Sequence, residues 1–143
     1  MSSDFDLAQY ERLEIGRRAI FTKTISEADI SHFVAITGDV NPLHVDREFA
    51  RATFFRSRIA HGVLAGSLIS TVIGTRLPGA GSIYRSQSFD FHRPARIGDT
   101  LTAWVEVESI DAEAETIGLR TGVDNQNGDA VVSGQAVVTL LRT

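Results

Sequence analysis

The chain has 143 residues, 43% of them hydrophobic and 22% charged, a composition typical of a globular domain with one hydrophobic core. Its net charge of −4 is not accompanied by any basic stripe, which argues against a nucleic-acid partner. The chain contains no cysteine, so disulfides, thiolate nucleophiles and thiolate metal sites are excluded.

Nothing in the sequence indicates a targeting or membrane segment. Residues 1–20 are polar and acidic and fit neither a signal peptide nor a transit peptide. The longest nearly uncharged stretch, residues 59–75, is interrupted by His61 and by small polar residues, and it is short for a membrane span. We therefore predict a cytoplasmic protein without a membrane segment.

The first part of the chain predicts a strand over residues 18–24 and then a helix. Ser26 is a suitable N-cap because acidic residues follow it in the first turn, and Gly38 suits the left-handed position that ends a helix. Apolar residues recur between these caps at the spacing of a helix face. They are Ile30, Phe33, Val34 and Thr37.

The middle of the chain predicts a loop, a short helix and a long helix. Residues 38–44 combine glycine, aspartate, asparagine and proline, which favour a loop. Asp46 can cap a short helix through Ala52 that turns Phe49 inward. Residues 62–75 form a long helix that is apolar around most of its circumference, so we expect other elements to surround it.

The remainder of the chain predicts antiparallel strands. Polar and apolar residues alternate over residues 101–108, and Asn127-Gly128 joins two further runs, residues 116–125 and 130–141, as a hairpin. Residues 82–91 predict another strand. A curved antiparallel sheet wrapped around one apolar helix fits this order, so we predict an α+β fold of the hot-dog type, with residues 1–143 as a single domain.

Asp39 and His44 lie five positions apart in the predicted loop. Pro42 restricts the backbone between them, so the loop can bring a carboxylate and an imidazole to one water molecule for acid-base chemistry. Asp39 and Asn41 are equally suited to shaping a turn. Spacing alone favours the turn.

The other histidines carry weaker signals. His32 within a helix and His92 near a strand end favour surface or packing roles, and His61 favours a contact at the cap of the long helix. No spacing typical of a zinc site occurs, so we expect neither a metal nor any other cofactor.

Residues 33–44, followed by Ala50, resemble the hydratase-2 motif of MaoC-like dehydratases and (R)-specific enoyl-CoA hydratases. The resemblance continues through residues 58–64 and 78–99 and covers nearly the whole chain. It implies that Asp39 and His44 form the catalytic pair and that Asn41 supports their loop beside the substrate.

The resemblance also implies a reaction. Water adds to C3 of a trans-2-enoyl-CoA of short or medium chain length while a proton reaches C2 from the same face, giving an (R)-3-hydroxyacyl-CoA. The backbone N–H of Gly62, at the start of a helix, is suited to bind the thioester oxygen as it gains negative charge. Ser67 and Ser70 are candidates for the acyl pocket. Arginines in loops or near strand ends are candidates for the coenzyme A phosphates, none of them individually assigned: Arg56, Arg58, Arg85, Arg93 and Arg96.

Two other functions remain open. A hot-dog thioesterase would carry its carboxylate on the central helix, but residues 62–75 contain no Asp or Glu. A non-catalytic acyl-thioester-binding subunit would be indicated by loss of Asp39 or His44, and both are present. The resemblance implies a homodimer with each active site near the interface, and the direction of the reaction and the thioester carrier are left open.

Overall fold

The structure is a computed structural model that describes Tyr10 and residues 12–141. In the described part of the chain, one strand and then four helices make up the first half, and strands alone make up the second half. In chain order they are β1 (Arg18–Thr24), α1 (Glu27–Thr37), α2 (Pro42–Val45), α3 (Arg47–Arg51), α4 (Gly62–Thr75), β2 (Ser82–Gln87), β3 (Asp90–Phe91), β4 (Thr100–Asp111), β5 (Thr116–Asp124) and β6 (Ala130–Leu140).

The strands form one antiparallel sheet that packs on helix α4. The strand order is β1-β4-β5-β6-β2, and the short β3 pairs with β6. Helix α4 contacts β1, β2, β4, β5 and β6, so the sheet wraps around it and the predicted hot-dog arrangement is confirmed. The alternation along β4 is also confirmed, because Leu101, Ala103, Val105 and Val107 are all buried.

Helix α4 has the predicted bounds, but one side of it is uncovered within a single chain. Ile69 and Val72 are fully buried against the sheet. Val63 is 55% exposed, and Ser67, Ser70 and Gly74 are exposed as well. We call these four residues the helix stripe. The expectation that other elements surround the helix is therefore wrong for this stripe in one chain.

Helix α1 begins and ends at the predicted caps. The Ser26 hydroxyl accepts a hydrogen bond from the Asp29 backbone N–H at 3.1 Å, and the Asp29 carboxylate accepts one from the Ser26 N–H at 2.8 Å. Gly38 ends the helix with φ of 74°, a conformation that glycine adopts without strain.

The segment predicted as a loop after α1 is partly helical. Residues 42–45 form the single turn α2, because Pro42 has a φ suited to a first helical position and the Asn41 side chain accepts a hydrogen bond from the Leu43 N–H. Asp46 caps α3 as predicted. Phe49 is 49% exposed rather than turned inward, so that prediction is wrong.

The strand predicted over residues 82–91 is divided into β2 and β3. The break falls at Phe89, whose ring packs against the backbone of Gly66 on α4; a Cβ at residue 66 would lie 2.8 Å from that ring. The strand is therefore interrupted where an aromatic side chain turns onto the central helix. Among the described residues, no helix is both long and apolar enough to cross a membrane.

Candidate active site

The turn that follows helix α1 positions Asp39. Its backbone N–H donates to the Thr37 hydroxyl at 3.2 Å, and its Oδ1 accepts from the Asn41 N–H at 3.2 Å. The turn-shaping role that the sequence allowed is therefore real. It leaves Oδ2 of Asp39 without a hydrogen-bond partner in the described part of the chain, and the side chain is exposed. One oxygen builds the turn while the other remains free for chemistry.

His44 lies in α2 and is only 8% exposed. Its Nδ1 lies 2.7 Å from the backbone oxygen of Ile59. A carbonyl oxygen can only accept, so Nδ1 carries the hydrogen and donates it. In the neutral ring, Nε2 then has the free lone pair. The contact with Ile59 thus sets the tautomer that a general base requires.

His61 directly precedes α4 and is 2% exposed. Its ring lies on that of His44, with centroids 3.9 Å apart, and near Phe33 at 4.6 Å. Its Nε2 donates to the backbone oxygen of Asp39 at 3.1 Å, while its Nδ1 is buried without a hydrogen-bond partner. His61 is the N-cap residue of α4, in agreement with the expected place at the cap, but its side chain makes no capping hydrogen bond to the helix.

Asp39, His44 and His61 each bring one polar atom to a common point, within 4.8 Å of one another. A single water with hydrogen bonds of about 2.8 Å can span such a separation. The three groups could also coordinate a metal ion, so the expected absence of a metal remains a prediction. His61 is the residue of this cluster that sequence spacing missed, although it lies inside the matching segment 58–64.

A cavity of about 290 Å³ opens beside this cluster. Its walls are mainly apolar and come from the segment before α4, from α4 itself and from the strands opposite. The lining residues include His44, Phe55, Ile59, Ala60, His61, Gly62, Ala65, Phe91, Val131 and Val132. His92, expected at the surface, is exposed at this cavity's edge and pairs with the Ser133 hydroxyl at 2.7 Å.

Gly62 lines the cavity at the first position of α4. Its backbone N–H has no acceptor among the described residues, as the geometry of a helix N-terminus dictates. The Phe91 ring lies so close that a Cβ at residue 62 would be 2.9 Å from it. Gly62 therefore brings a free donor to the cavity wall, and the Phe91 ring occupies the place that a side chain at residue 62 would need.

Ser67 and Ser70 do not line the cavity within one chain. Both lie on the helix stripe, where the Ser67 hydroxyl donates to the backbone oxygen of Leu64 at 2.6 Å. Burial raises the pKa of Tyr84, and a hydrogen bond with Ser70 partly offsets this effect. Helix α4 contacts β2 on this side, and the acyl-pocket role of the two serines remains a prediction.

The candidate arginines fall into three places. Arg93 lines the cavity described above. Arg56, Arg58 and Arg96 line a second, neighbouring cavity. Arg85 is exposed on β2.

Comparison with known proteins settles the family. A sequence profile described as MaoC like domain matches residues 12–128. The chain belongs to the MaoC-like domain family. The resemblance found in residues 33–44 is therefore confirmed over most of the sequence.

Individual members of the MaoC-like family are similar over most of their length. The (R)-specific enoyl-CoA hydratase of Rhodospirillum rubrum is 44% identical over 96% of this chain and 94% of that protein. A 3-hydroxybutyryl-CoA dehydratase of Methylorubrum extorquens is 42% identical over 96% of this chain and 87% of that protein. The unliganded R-hydratase PhaJ1 of Pseudomonas aeruginosa superposes with a TM-score of 0.88 at 42% identity, covering 94% of this chain and 86% of that one.

Proposed function

We infer that this protein is an (R)-specific enoyl-CoA hydratase, a hydro-lyase that reversibly adds water to a trans-2-enoyl-CoA and yields an (R)-3-hydroxyacyl-CoA. The observation that carries this inference is the meeting of Asp39 and the His44 ring within 4.8 Å, beside a cavity lined by Gly62. Relatives named as hydratases at 42–44% identity support it.

The contacts of the pair suggest how water is activated. A water that donates one hydrogen to the Asp39 carboxylate and the other to Nε2 of His44 presents its oxygen lone pair to C3 of the substrate. One of these groups accepts a proton as the C3–O bond forms. It then returns that proton to C2, so both new bonds form on one face and the pair is regenerated.

The developing charge on the thioester oxygen requires a donor. Attack at C3 moves electrons through C2 onto that oxygen. The Gly62 N–H has no acceptor in the described part of the chain and lies at the positive end of the α4 dipole, which favours an anion. We propose that it binds the thioester oxygen.

The thioesterase alternative has little support, because α4 contains no carboxylate that could serve hydrolysis. The non-catalytic alternative does not account for a paired carboxylate and imidazole. Dehydration is the same reaction in reverse, and the dehydratase relative from Methylorubrum extorquens is consistent with either direction. We propose that residues 1–143 form a single hot-dog domain acting on short or medium acyl chains, with location in the cytoplasm remaining a prediction.

We also propose a homodimer. Strand β2 is an edge of the sheet, with Ile83 44% and Tyr84 40% exposed. The helix that carries the uncovered stripe contacts β2. A second copy that pairs along β2 would cover both the open edge and the stripe. Sedimentation showing only active monomers would contradict this proposal.

Hydration can be tested directly with crotonyl-CoA. We expect loss of the enoyl absorbance and formation of (R)-3-hydroxybutyryl-CoA, whose configuration chiral analysis identifies. Release of free coenzyme A thiol would instead support the thioesterase. If the enoyl absorbance is not lost and no free thiol is released, the result supports the non-catalytic subunit.

A further inference from the structure

A second cavity of about 350 Å³ lies beside the active-site cavity. None of the described residues lines both cavities, but the segments 55–62 and 93–97 contribute different residues to each of them. These walls are joined by a bridge between Ile59 and Arg96 and by a hydrogen bond of 2.7 Å from the Ala60 N–H to the Ala95 oxygen. We call this second space the arginine cavity. Its lining residues are Arg47, Arg51, Arg56, Ser57, Arg58, Arg96 and Ile97.

The charge of the arginine cavity is strongly positive, although the whole chain carries −4. Five guanidinium groups line it, and none of the described lining residues is acidic. Glu27 pairs with Arg58 at 2.8 Å and with Arg47 at 3.4 Å. Arg51 and Arg56 have no carboxylate within 4.0 Å among the residues that the structure describes. Five cations that share one carboxylate leave an excess of positive charge, which favours a multiply charged anion.

Several of these arginines are held in place. The Arg58 side chain is 11% exposed and bound to Glu27. Arg96 donates to the backbone oxygen of Phe55 and to the Ser57 hydroxyl. Arg56 has φ of 61°, a left-handed conformation that a non-glycine residue rarely adopts. The guanidinium groups of Arg58 and Arg96, which are held by these contacts, lose less freedom on binding an anion, so this part of the cavity is preorganised for one.

We propose that the arginine cavity binds the phosphate groups of the nucleotide half of coenzyme A, which deepens and rests on the proposed function. Guanidinium groups match phosphate oxygens in geometry and charge. Because neighbouring residues of segments 55–62 and 93–97 line the two cavities, in this proposal the pantetheine arm runs along these segments from the arginine cavity to the thioester beside His44. A concave site of this size suits a compact nucleotide better than the surface of an acidic carrier protein.

The test compares two substrates that differ only in the nucleotide. Crotonyl-CoA carries the phosphates, and crotonyl-pantetheine has none. In the double variant Arg51→Gln/Arg56→Gln we expect the KM for crotonyl-CoA to rise about tenfold or more with kcat little changed. The KM for crotonyl-pantetheine should stay the same. Arg120→Gln is the matched control, because Arg120 is exposed on β5 and pairs with Glu106 outside both cavities.

Direct binding supplies a readout that does not depend on turnover. Adenosine 3′,5′-bisphosphate should bind the unmodified protein in calorimetry, compete with crotonyl-CoA, and bind the double variant at least about tenfold more weakly. No binding to the unmodified protein, or equal binding to both, would overturn the proposal. So would equal changes of KM for both substrates, or a change confined to a crotonyl carrier-protein substrate.

Failure of the proposed function gives a different result. If the unmodified protein hydrates neither thioester yet binds the bisphosphate in an arginine-dependent way, hydration is wrong and the nucleotide site stands. If it hydrates both thioesters with the same KM, the nucleotide site is wrong and hydration stands.

Discussion

The imidazole ring of His61 lies on that of His44, with centroids 3.9 Å apart and an angle of 33° between their planes. The two rings are oriented by different backbone oxygens, Ile59 for His44 and Asp39 for His61. The stacked pair therefore links the turn that carries the carboxylate to the start of α4. The relative positions of Asp39, His44 and Gly62 therefore depend on this one contact between the two rings.

Replacing either member of the catalytic pair should remove most of the activity. We expect Asp39→Asn and His44→Ala each to lower kcat for crotonyl-CoA by roughly 10²- to 10⁴-fold, because each removes a group that handles the proton. Asparagine keeps the oxygen that accepts from the Asn41 N–H, so the turn should survive. Circular dichroism and thermal melting check the fold, and a folded Asp39→Asn variant with full turnover would contradict the mechanism.

His61 is predicted to be a positioning residue. His61→Phe keeps a ring against His44 but removes the donor to the Asp39 oxygen, so kcat should fall about tenfold with KM little changed. Stability should change by only about 1 kcal/mol, because the variant also removes the buried unpaired Nδ1. His32→Phe on the exposed face of α1 is the control. Equal losses of kcat in both variants would argue against positioning.

Two substitutions at Gly62 distinguish the effect of losing its N–H from the effect of filling the space around it. Gly62→Ala and Gly62→Pro both add a Cβ near Phe91, but only proline removes the N–H. Proline is tolerated at the first position of a helix, and the extended backbone of His61 suits the residue before it. We expect kcat of the proline variant to fall roughly 10²- to 10³-fold below that of the alanine variant. Equal activities would exclude this N–H as the oxyanion donor.

Chelation tests whether the cluster of Asp39, His44 and His61 holds a metal. The Nδ1 of His44 already donates to Ile59, and the proposed mechanism uses water held by the pair alone. We therefore expect dialysis against EDTA to leave hydration of crotonyl-CoA unchanged, and added Zn²⁺ to inhibit by occupying the pair. Loss of activity that a divalent cation restores would reveal a metal enzyme.

The Glu27 carboxylate should make stability depend on acid pH. The hydrogen bond from Arg58, then its charge and that of Arg47, hold the pKa of Glu27 below its ordinary value of 4.5. Its contribution is therefore present above that value and is lost as the pH falls through the lowered pKa. The difference in urea midpoint between the unmodified protein and Glu27→Gln should shrink between about pH 6 and about pH 3. Glu113→Gln, at an exposed position, should show no such trend.

Local signals predicted the secondary structure because they act within a few residues. The reciprocal bonds of Ser26 and Asp29, the left-handed Gly38 and the alternation along β4 are all short-range features, and each was found where the sequence placed it. The bounds of α4 were also predicted from local signals, with Gly62 at its start and Pro78-Gly79 shortly after its end. Phe49 was misplaced because a helix of five residues has no periodicity long enough to show which face is buried.

The sequence alone was enough to predict the order of the longer helices and strands, the family through the motif of residues 33–44, and Asp39 and His44 as the candidate pair. Three further features became visible in the folded chain: His61 joins this pair, the helix stripe stays uncovered in one chain, and five arginines meet in one cavity. The physical reason is the distance along the chain over which each kind of interaction acts. Caps and periodicity depend on neighbours along the chain, whereas stacked rings and gathered charges depend on residues that only the packing of α4 and the sheet brings together.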